Sequence, residues 1–168
     1  MSKHNLMRLI TEHHDKLYFL GLIVLSTISL SFAFFVEYIL GFDPCILCLY
    51  QRVPYYLLIF IGMGGVVFKN YKYSLYIALA VFFGAAILAG YHTGVERGLF
   101  DPTDTCNPGF NIPDGLSADQ IREMLYDAPI ATCTRAAFKI FALSMTEWNL
   151  ILNLCLFIGT LLVVKRSR

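Results

Sequence analysis

Two cysteines and an arginine share one short segment and have the chemistry of a redox dithiol. The segment reads Pro44-Cys45-Ile46-Leu47-Cys48-Leu49-Tyr50-Gln51-Arg52. On a helix with about 100° per residue, Cys45, Cys48 and Arg52 fall on one face, and residues three apart lie close enough for a disulfide. A cysteine near a helix start, with a cation one turn later, favours the thiolate, which is the reactive species. We therefore interpret this segment as a redox-active pair.

Three further cysteines follow in the chain. Cys106 and Cys133 lie in a long polar segment, whereas Cys155 lies in an apolar run, where we expect a small packing role. Together with the first pair, Cys106 and Cys133 allow three interpretations: two structural disulfides, a four-cysteine zinc site, or two redox pairs that exchange electrons. A disulfide within C-x-x-C closes almost no loop, and the wide spacing of the second pair is unusual for zinc. The residues favour redox exchange and leave the other two interpretations open.

The elements that position these cysteines must lie in a membrane. The chain of 168 residues is 57% hydrophobic and only 15% charged, against about 25% charged in soluble domains. Four long runs carry no charged residue, and a membrane span needs about 20 apolar residues. We predict an all-α membrane protein, a single four-helix domain over 1–168, with spans at about 17–38, 46–68, 73–95 and 147–164. The first run is too long for a cleavable signal peptide, so it should remain as an anchor.

Basic residues predict the orientation of this bundle. Both termini should be cytoplasmic by the positive-inside rule, and both cysteine pairs should then face the oxidising periplasm of a bacterium, which favours disulfides. The net charge of +1 gives no basic field, so we expect no nucleic-acid partner. The basic residues assigned to the cytoplasmic side are Lys3, Arg8, Lys16, Lys69, Lys72, Lys165, Arg166 and Arg168.

Two loops should face the periplasm, at about 39–45 and 96–146. Within the long loop, Ser117-x-x-Gln120 resembles a capping box before apolar residues at helical spacing. We predict a short amphipathic helix from about Ser117 to Tyr126, lying on the membrane surface. A second interfacial stretch is expected over 138–145.

Three ionisable residues fall near the outer ends of the predicted spans. Arg52 is costly at membrane depth, so we expect it to have an anionic or polar partner unless it anchors to lipid headgroups. Glu37 is expected to meet the membrane interface, with a role beside a cofactor as the alternative. His92 could serve as a proton donor or be a satisfied interfacial histidine, and its spacing does not decide between them.

The segment from Pro44 to Arg52 resembles the signature of the bacterial inner-membrane disulfide-bond formation protein B family, which comprises DsbB and DsbI-like proteins. The similarity extends to Tyr91-His92-Thr93 before the long loop and to Ser144-Met145 with Trp148 before the last span. Two residues depart from the family pattern. Gln51 stands where some members carry glutamate, and Thr146 where many carry proline. We expect neither departure to touch the chemistry directly.

The resemblance implies a membrane thiol-disulfide oxidoreductase. Such an enzyme reoxidises a periplasmic DsbA-like thioredoxin-fold protein and passes the electrons to a membrane quinone, either ubiquinone or menaquinone. By this resemblance Cys106 forms the mixed disulfide with the partner, Cys133 pairs with Cys106, and electrons pass to Cys45 and Cys48. No metal is implied.

The resemblance also implies a set of residues around the quinone. Cys48 would donate electrons to it, and His92 matches a family position beside it. Arg52 would stabilise the Cys48 thiolate and the anion that develops on the quinone, so the nearest anionic partner expected for Arg52 is a thiolate or a quinone oxygen.

Two other functions compete with this one. A relative of vitamin K epoxide reductase would also place a C-x-x-C on a helical bundle beside a quinone, although usually late in the bundle. A non-enzymatic membrane metal-binding protein would use the four cysteines and the histidines. Metal content measured with and without reductant distinguishes the enzyme from the metal-binding protein.

Overall fold

The computed structural model describes residues 3–103, 106, 117, 119, 132–136 and 138–166, with backbone only at 3–12, 14 and 166. The amphipathic helix expected from Ser117 to Tyr126 lies outside these residues, apart from 117 and 119. The described part is helical, with one small hairpin. Its elements are α1 (Lys3–Phe34), a π-helical turn (Phe35–Ile39), α2 (Ile46–Tyr50), α3 (Val53–Phe68), α4 (Tyr71–Glu96), β1 (Lys139–Ile140), β2 (Leu143–Ser144) and α5 (Met145–Arg166).

Four helical segments are long and apolar enough to cross a membrane: Asp15–Ile39, Ile46–Phe68, Tyr71–Glu96 and Met145–Lys165. This confirms the predicted all-α class. Helix α4 packs along α5, α1 packs along α3, and α3 contacts α4. The core between them contains Phe19, Leu22, Leu58, Leu75 and Phe82, while many large apolar side chains on the outer faces are exposed, as expected for helices surrounded by lipid.

Close approach of α1 and α3 requires glycine on α3. A Cβ atom on Gly65 would lie 2.9 Å from the Phe19 ring, and one on Gly62 would lie 2.6 Å from the Ile23 side chain. Both distances are shorter than van der Waals contact, so these two positions have room only for a hydrogen atom. Small residues at helix contacts are how membrane helices gain packing energy.

The segment that carries the first cysteine pair is not one continuous helix. Helix α2 ends at Tyr50, a turn at 51–52 follows, and α3 begins at Val53. Pro54 explains the break, because it has no N–H to donate to the Tyr50 carbonyl four residues earlier. The expectation that Arg52 continues the cysteine helix is therefore wrong.

The segment over 138–145, expected to be an interfacial stretch, contains a β-hairpin that leads into α5. Its strands pair antiparallel, with Lys139 opposite Ser144. The two turn residues, Phe141 and Ala142, have positive φ angles of 51° and 67°, as in the turns that suit two-residue hairpins. A capping box then starts α5: Ser144 N–H donates to Glu147 Oε2 at 2.8 Å, and Glu147 N–H donates to Ser144 Oγ at 3.1 Å.

Candidate redox-active site

The first cysteine pair lies in the first turn of α2. Cys45 is the N-cap residue of this helix, and its sulfur accepts the Cys48 backbone N–H at 3.4 Å. The Cys45 thiol also donates to the Cys48 sulfur, with 2.9 Å between the two Sγ atoms. Only a small further approach separates this dithiol from a disulfide. The fold therefore places the pair in a geometry suited to reversible oxidation.

The loop cysteines are packed directly against this pair. Cys106 and Cys133 are buried in the same apolar cluster as Cys45 and Leu47. The Cys133 thiol forms hydrogen bonds with Cys106 and with the backbone N–H of Leu47. The second pair therefore comes together across 27 positions of sequence and lies against the first turn of α2, where thiol–disulfide exchange between the pairs needs only a short movement.

Two of these thiols hold their protons strongly. The hydrogen bond from Cys45 to Cys48, and then burial, raise the pKa of Cys45 to about 12. Burial, and then the contact with Cys106, raise the pKa of the Cys133 thiol above its usual range. Cys45 therefore keeps its proton at neutral pH and donates it in a hydrogen bond to the Cys48 sulfur.

His92 lies beneath the first pair and is only 1% exposed. Its Nε2 atom is 3.5 Å from Cys45 Sγ and 3.8 Å from a carboxylate oxygen of Glu96. Its Nδ1 atom is 2.9 Å from the Gln51 amide nitrogen and 3.3 Å from the Thr146 hydroxyl. Gln51 and Thr146, the two departures from the family pattern, therefore both contact the histidine that lies beside Cys45.

Glu96 is held in place by the start of α5. Its two carboxylate oxygens accept hydrogen bonds from Thr146 at 2.9 Å and from Ser144 at 2.6 Å. Near it on the outer surface, Arg97 donates to Glu147 at 2.8 Å. These contacts tie the outer end of α4 to the beginning of α5.

Arg52 has an anionic partner, as its depth requires, but the partner is a carboxylate. Its Nη1 atom is 2.5 Å from Glu37 Oε2, and its guanidinium lies 5.0 Å from the centre of the Phe34 ring. The side chains of Arg52 and Glu37 are only 12% and 18% exposed. The expectation that a thiolate would be the nearest anion is wrong, because the π-helical turn at the end of α1 brings Glu37 to this position.

A cavity of about 1030 Å³ opens beside the first cysteine pair. It reaches the upper end of the size range of small-molecule sites, about 300–1,000 Å³. Its wall is mostly apolar, contributed by α1, α3 and α5, and a few polar groups converge on it. Those that matter for the site are Cys45, Cys48, Gln51, Arg52 and Asn149, with Trp148 at the rim.

The same geometry would also suit a soft metal ion. The ligand atoms of Cys45, Cys48 and His92 all lie within 4.8 Å of one another, and thiolate and imidazole are zinc ligands. The prediction that the site holds no metal stays a prediction.

Sequence reasoning overlooked several residues of this site. Glu96 stands four positions after His92, the spacing that places two side chains on one helix face. Asn149 and Asn153 are likewise one turn apart in an otherwise apolar span, and polar side chains in such a span usually mark a site. Gln51 and Thr146 could have been identified only from contacts between helices.

The proton on Cys45 gives a direct prediction. In fully reduced protein treated with iodoacetamide, Cys45 should remain unmodified between pH 7 and pH 9, because its pKa of about 12 leaves almost no thiolate there. Mass spectrometry of the digested protein measures the modification, and Cys48, the partly buried member of the same pair, is the internal control. Modification of Cys45 as fast as that of Cys48 would contradict this assignment.

Comparison with known proteins shows the family to which the chain belongs. The family model described as Disulfide bond formation protein DsbB matches residues 15–163. An uncharacterized protein of Rickettsia prowazekii is 43% identical over 151 residues, which cover 88% of each chain. Disulfide bond formation protein B of Psychrobacter arcticus is 30% identical over 154 residues, 86% of each chain, and that of Aeromonas salmonicida is 26% identical over 133 residues, 76% of each chain. The chain therefore belongs to the DsbB family of disulfide-forming membrane proteins.

Proposed function

We propose that this protein reoxidises a periplasmic DsbA-like thioredoxin-fold protein and passes the electrons to a membrane quinone. One observation carries the proposal: the first cysteine pair touches both the loop pair and the cavity. Cys45 packs in one cluster with Cys106 and Cys133, and Cys45 and Cys48 both line the cavity. A dithiol in this position can receive electrons from one side and deliver them to the other.

The cavity fits a quinone by its chemistry. Its apolar wall suits a ring with an isoprenoid tail, and Arg52 and Gln51 provide N–H groups that could hold the carbonyl oxygens. When bound, a quinone accepts two electrons and two protons. The Glu37 carboxylate fixes the Arg52 guanidinium at the wall and partly balances its charge.

Electrons and protons balance in the exchange steps between the partner and the two cysteine pairs. A thiolate of the reduced partner attacks Cys106 of the loop disulfide, so that a mixed disulfide forms and Cys133 leaves as the thiolate. The second thiol of the partner then displaces Cys106, which leaves the partner oxidised and the loop pair reduced. The loop pair reduces the Cys45–Cys48 disulfide in the same way, so each exchange moves two electrons and two protons.

The site would face the periplasm from the bacterial inner membrane, with both termini in the cytoplasm. The support is the distribution of basic residues, eight of which fall on the side opposite the cysteines. The partners would then be the thiol oxidase, the lipid bilayer and the quinone pool, with either ubiquinone or menaquinone as the acceptor. Membership of the DsbB family favours this function over a vitamin K epoxide reductase-like one.

The assignment of the loop pair predicts a trapped intermediate. With Cys133→Ser, no second loop thiol can displace the partner, so a Cys106 thiolate that attacks a disulfide on the partner's reactive cysteine should hold the partner in a mixed disulfide. Non-reducing electrophoresis after mixing with a partner that keeps only its reactive cysteine, supplied as a disulfide with a small aromatic thiol that leaves, should show one adduct that a reductant dissolves. Cys106→Ser is the matched control and should give no adduct. An adduct that forms through Cys133 alone would reverse the two assignments.

Arg52 should control quinone binding. Arg52→Met keeps much of the apolar stem but removes the charge and the N–H donors, so the quinone concentration at half-maximal rate should rise roughly tenfold or more, as expected for losing one charged hydrogen bond. Arg52→Lys should be intermediate because it keeps the charge without the planar fork. The measurement is the steady-state rate against quinone concentration.

The control for this test is Arg97→Met, since Arg97 also forms an ion pair at the outer end of the bundle but lies 62% exposed. Its quinone dependence should match that of the wild type. Unchanged quinone dependence and turnover in Arg52→Met would reduce Arg52 to a structural partner of Glu37.

A further inference from the structure

Helix α5 carries two asparagines that no step of the proposed function uses. Asn149 and Asn153 lie one turn apart in an apolar span, and Asn153 is fully buried. Tyr55 of α3 donates its hydroxyl to the Asn149 side-chain oxygen. Buried amides in an apolar bundle are costly unless they form hydrogen bonds. The partners of these two side chains therefore indicate which way each amide group points.

The orientation of both amides follows from one backbone carbonyl. Asn153 Nδ2 lies 2.8 Å from the backbone oxygen of Asn149, and a carbonyl oxygen can only accept. The same Nδ2 lies 2.9 Å from Asn149 Oδ1, so Asn149 must present its oxygen to Asn153. The NH₂ group of Asn149 then faces Gln51 Oε1, at 2.7 Å.

The same sequence of donors and acceptors extends from Gln51 to His92. Because Gln51 Oε1 accepts from Asn149, the Gln51 NH₂ group is the one that faces His92 Nδ1, at 2.9 Å. Nδ1 must therefore be the bare, accepting nitrogen of the ring. A neutral imidazole carries one proton, which is then on Nε2. Nε2 is the nitrogen that lies 3.5 Å from Cys45 Sγ.

We propose that Asn153, Asn149 and Gln51 are positioning residues that hold His92 as its Nε2–H tautomer, a hydrogen-bond donor to the Cys45 sulfur. Each group donates to the next in one direction: Asn153 to Asn149, Asn149 to Gln51, Gln51 to His92, His92 to Cys45, and Cys45 to Cys48. Aligned donors polarise one another, and here the chain of donors ends on the Cys48 sulfur.

The assignment fixes what His92 does. With an N–H of Gln51 aimed at Nδ1, a proton on that nitrogen would face a donor, so the Nδ1–H tautomer is disfavoured. The Thr146 hydroxyl, which donates to Glu96, lies farther from Nδ1, at 3.3 Å, than the Gln51 NH₂ group, at 2.9 Å. The Glu96 carboxylate oxygen that lies 3.8 Å from Nε2 also favours a proton on that nitrogen. His92 therefore stabilises negative charge on the sulfur pair by donating a hydrogen bond, and does not take the Cys45 proton.

The proposal deepens the proposed function and rests on it for its purpose, but its test needs neither quinone nor partner. In a background of His4→Gln, His13→Gln and His14→Gln, the only imidazole left is that of His92. With ¹⁵N-labelled imidazole in the reduced protein in detergent, NMR should show the one-bond N–H coupling at Nε2 and none at Nδ1. A proton on Nδ1 in this protein overturns the proposal.

Two variants test the positioning residues. Gln51→Glu replaces the donor facing Nδ1 by a carboxylate oxygen, so Nδ1 should become protonated. Asn149→Asp does not touch His92, but above neutral pH its carboxylate can only accept, so the Gln51 amide should turn and present its oxygen to the ring. The proton should then move to Nδ1, and Cys48 alkylation at fixed pH should slow roughly tenfold, as expected for losing one charged hydrogen bond.

The control is Ser26→Ala, since Ser26 is a buried hydroxyl of the same bundle with no hydrogen-bond partner among the described residues. It should leave both the tautomer and the alkylation rate unchanged. A bare Nδ1 in Gln51→Glu overturns the role of Gln51, and an unchanged tautomer in Asn149→Asp overturns the chain beyond Gln51. Because the readout is the position of one proton, failure here is distinguishable from failure to reduce quinone.

Discussion

A histidine ring buried among apolar helices must find partners for both of its nitrogens, and the outer end of this bundle is built around that requirement. His92 is 1% exposed, so an unpaired nitrogen would be costly. Gln51, which lies in the turn between α2 and α3, contacts Nδ1 at 2.9 Å. Thr146 contacts the same nitrogen from the first turn of α5, which the capping box starts at this level. Three helices are thereby held at one point, directly beneath Cys45.

The position of His92 beneath Cys45 also gives the two cysteines of the first pair different surroundings and different roles. Cys45 faces His92 and the loop cysteines, and its raised pKa keeps its proton. The Cys48 sulfur accepts a hydrogen bond from Cys45 and lines the cavity that Arg52 also lines. The arrangement has a direction, from the loop through the pair to the cavity, which is the direction in which we propose that electrons flow.

The membrane spans and the redox dithiol could be predicted from the sequence, because they depend on the lipid environment and on local chemistry. Spans follow from long apolar runs, because a bilayer accepts only helices that satisfy their own backbone, and the dithiol follows from C-x-x-C. The partner of Arg52 was missed, because Glu37 comes from another helix through a π-helical turn that no local pattern indicates. The hairpin was missed because Phe141 and Ala142 occupy turn positions that usually require glycine or asparagine.

We propose that electrons leave this protein from Cys48 to a quinone. The most direct measurement mixes purified protein carrying one equivalent of quinone with one equivalent of reduced DsbA-like partner and follows quinone absorbance in a single turnover without oxygen. The account predicts that the absorbance of one quinone is lost for each disulfide formed in the partner, and that Cys48→Ala abolishes this loss. Oxidation of the partner with the quinone absorbance unchanged, or equal loss in Cys48→Ala, would contradict it.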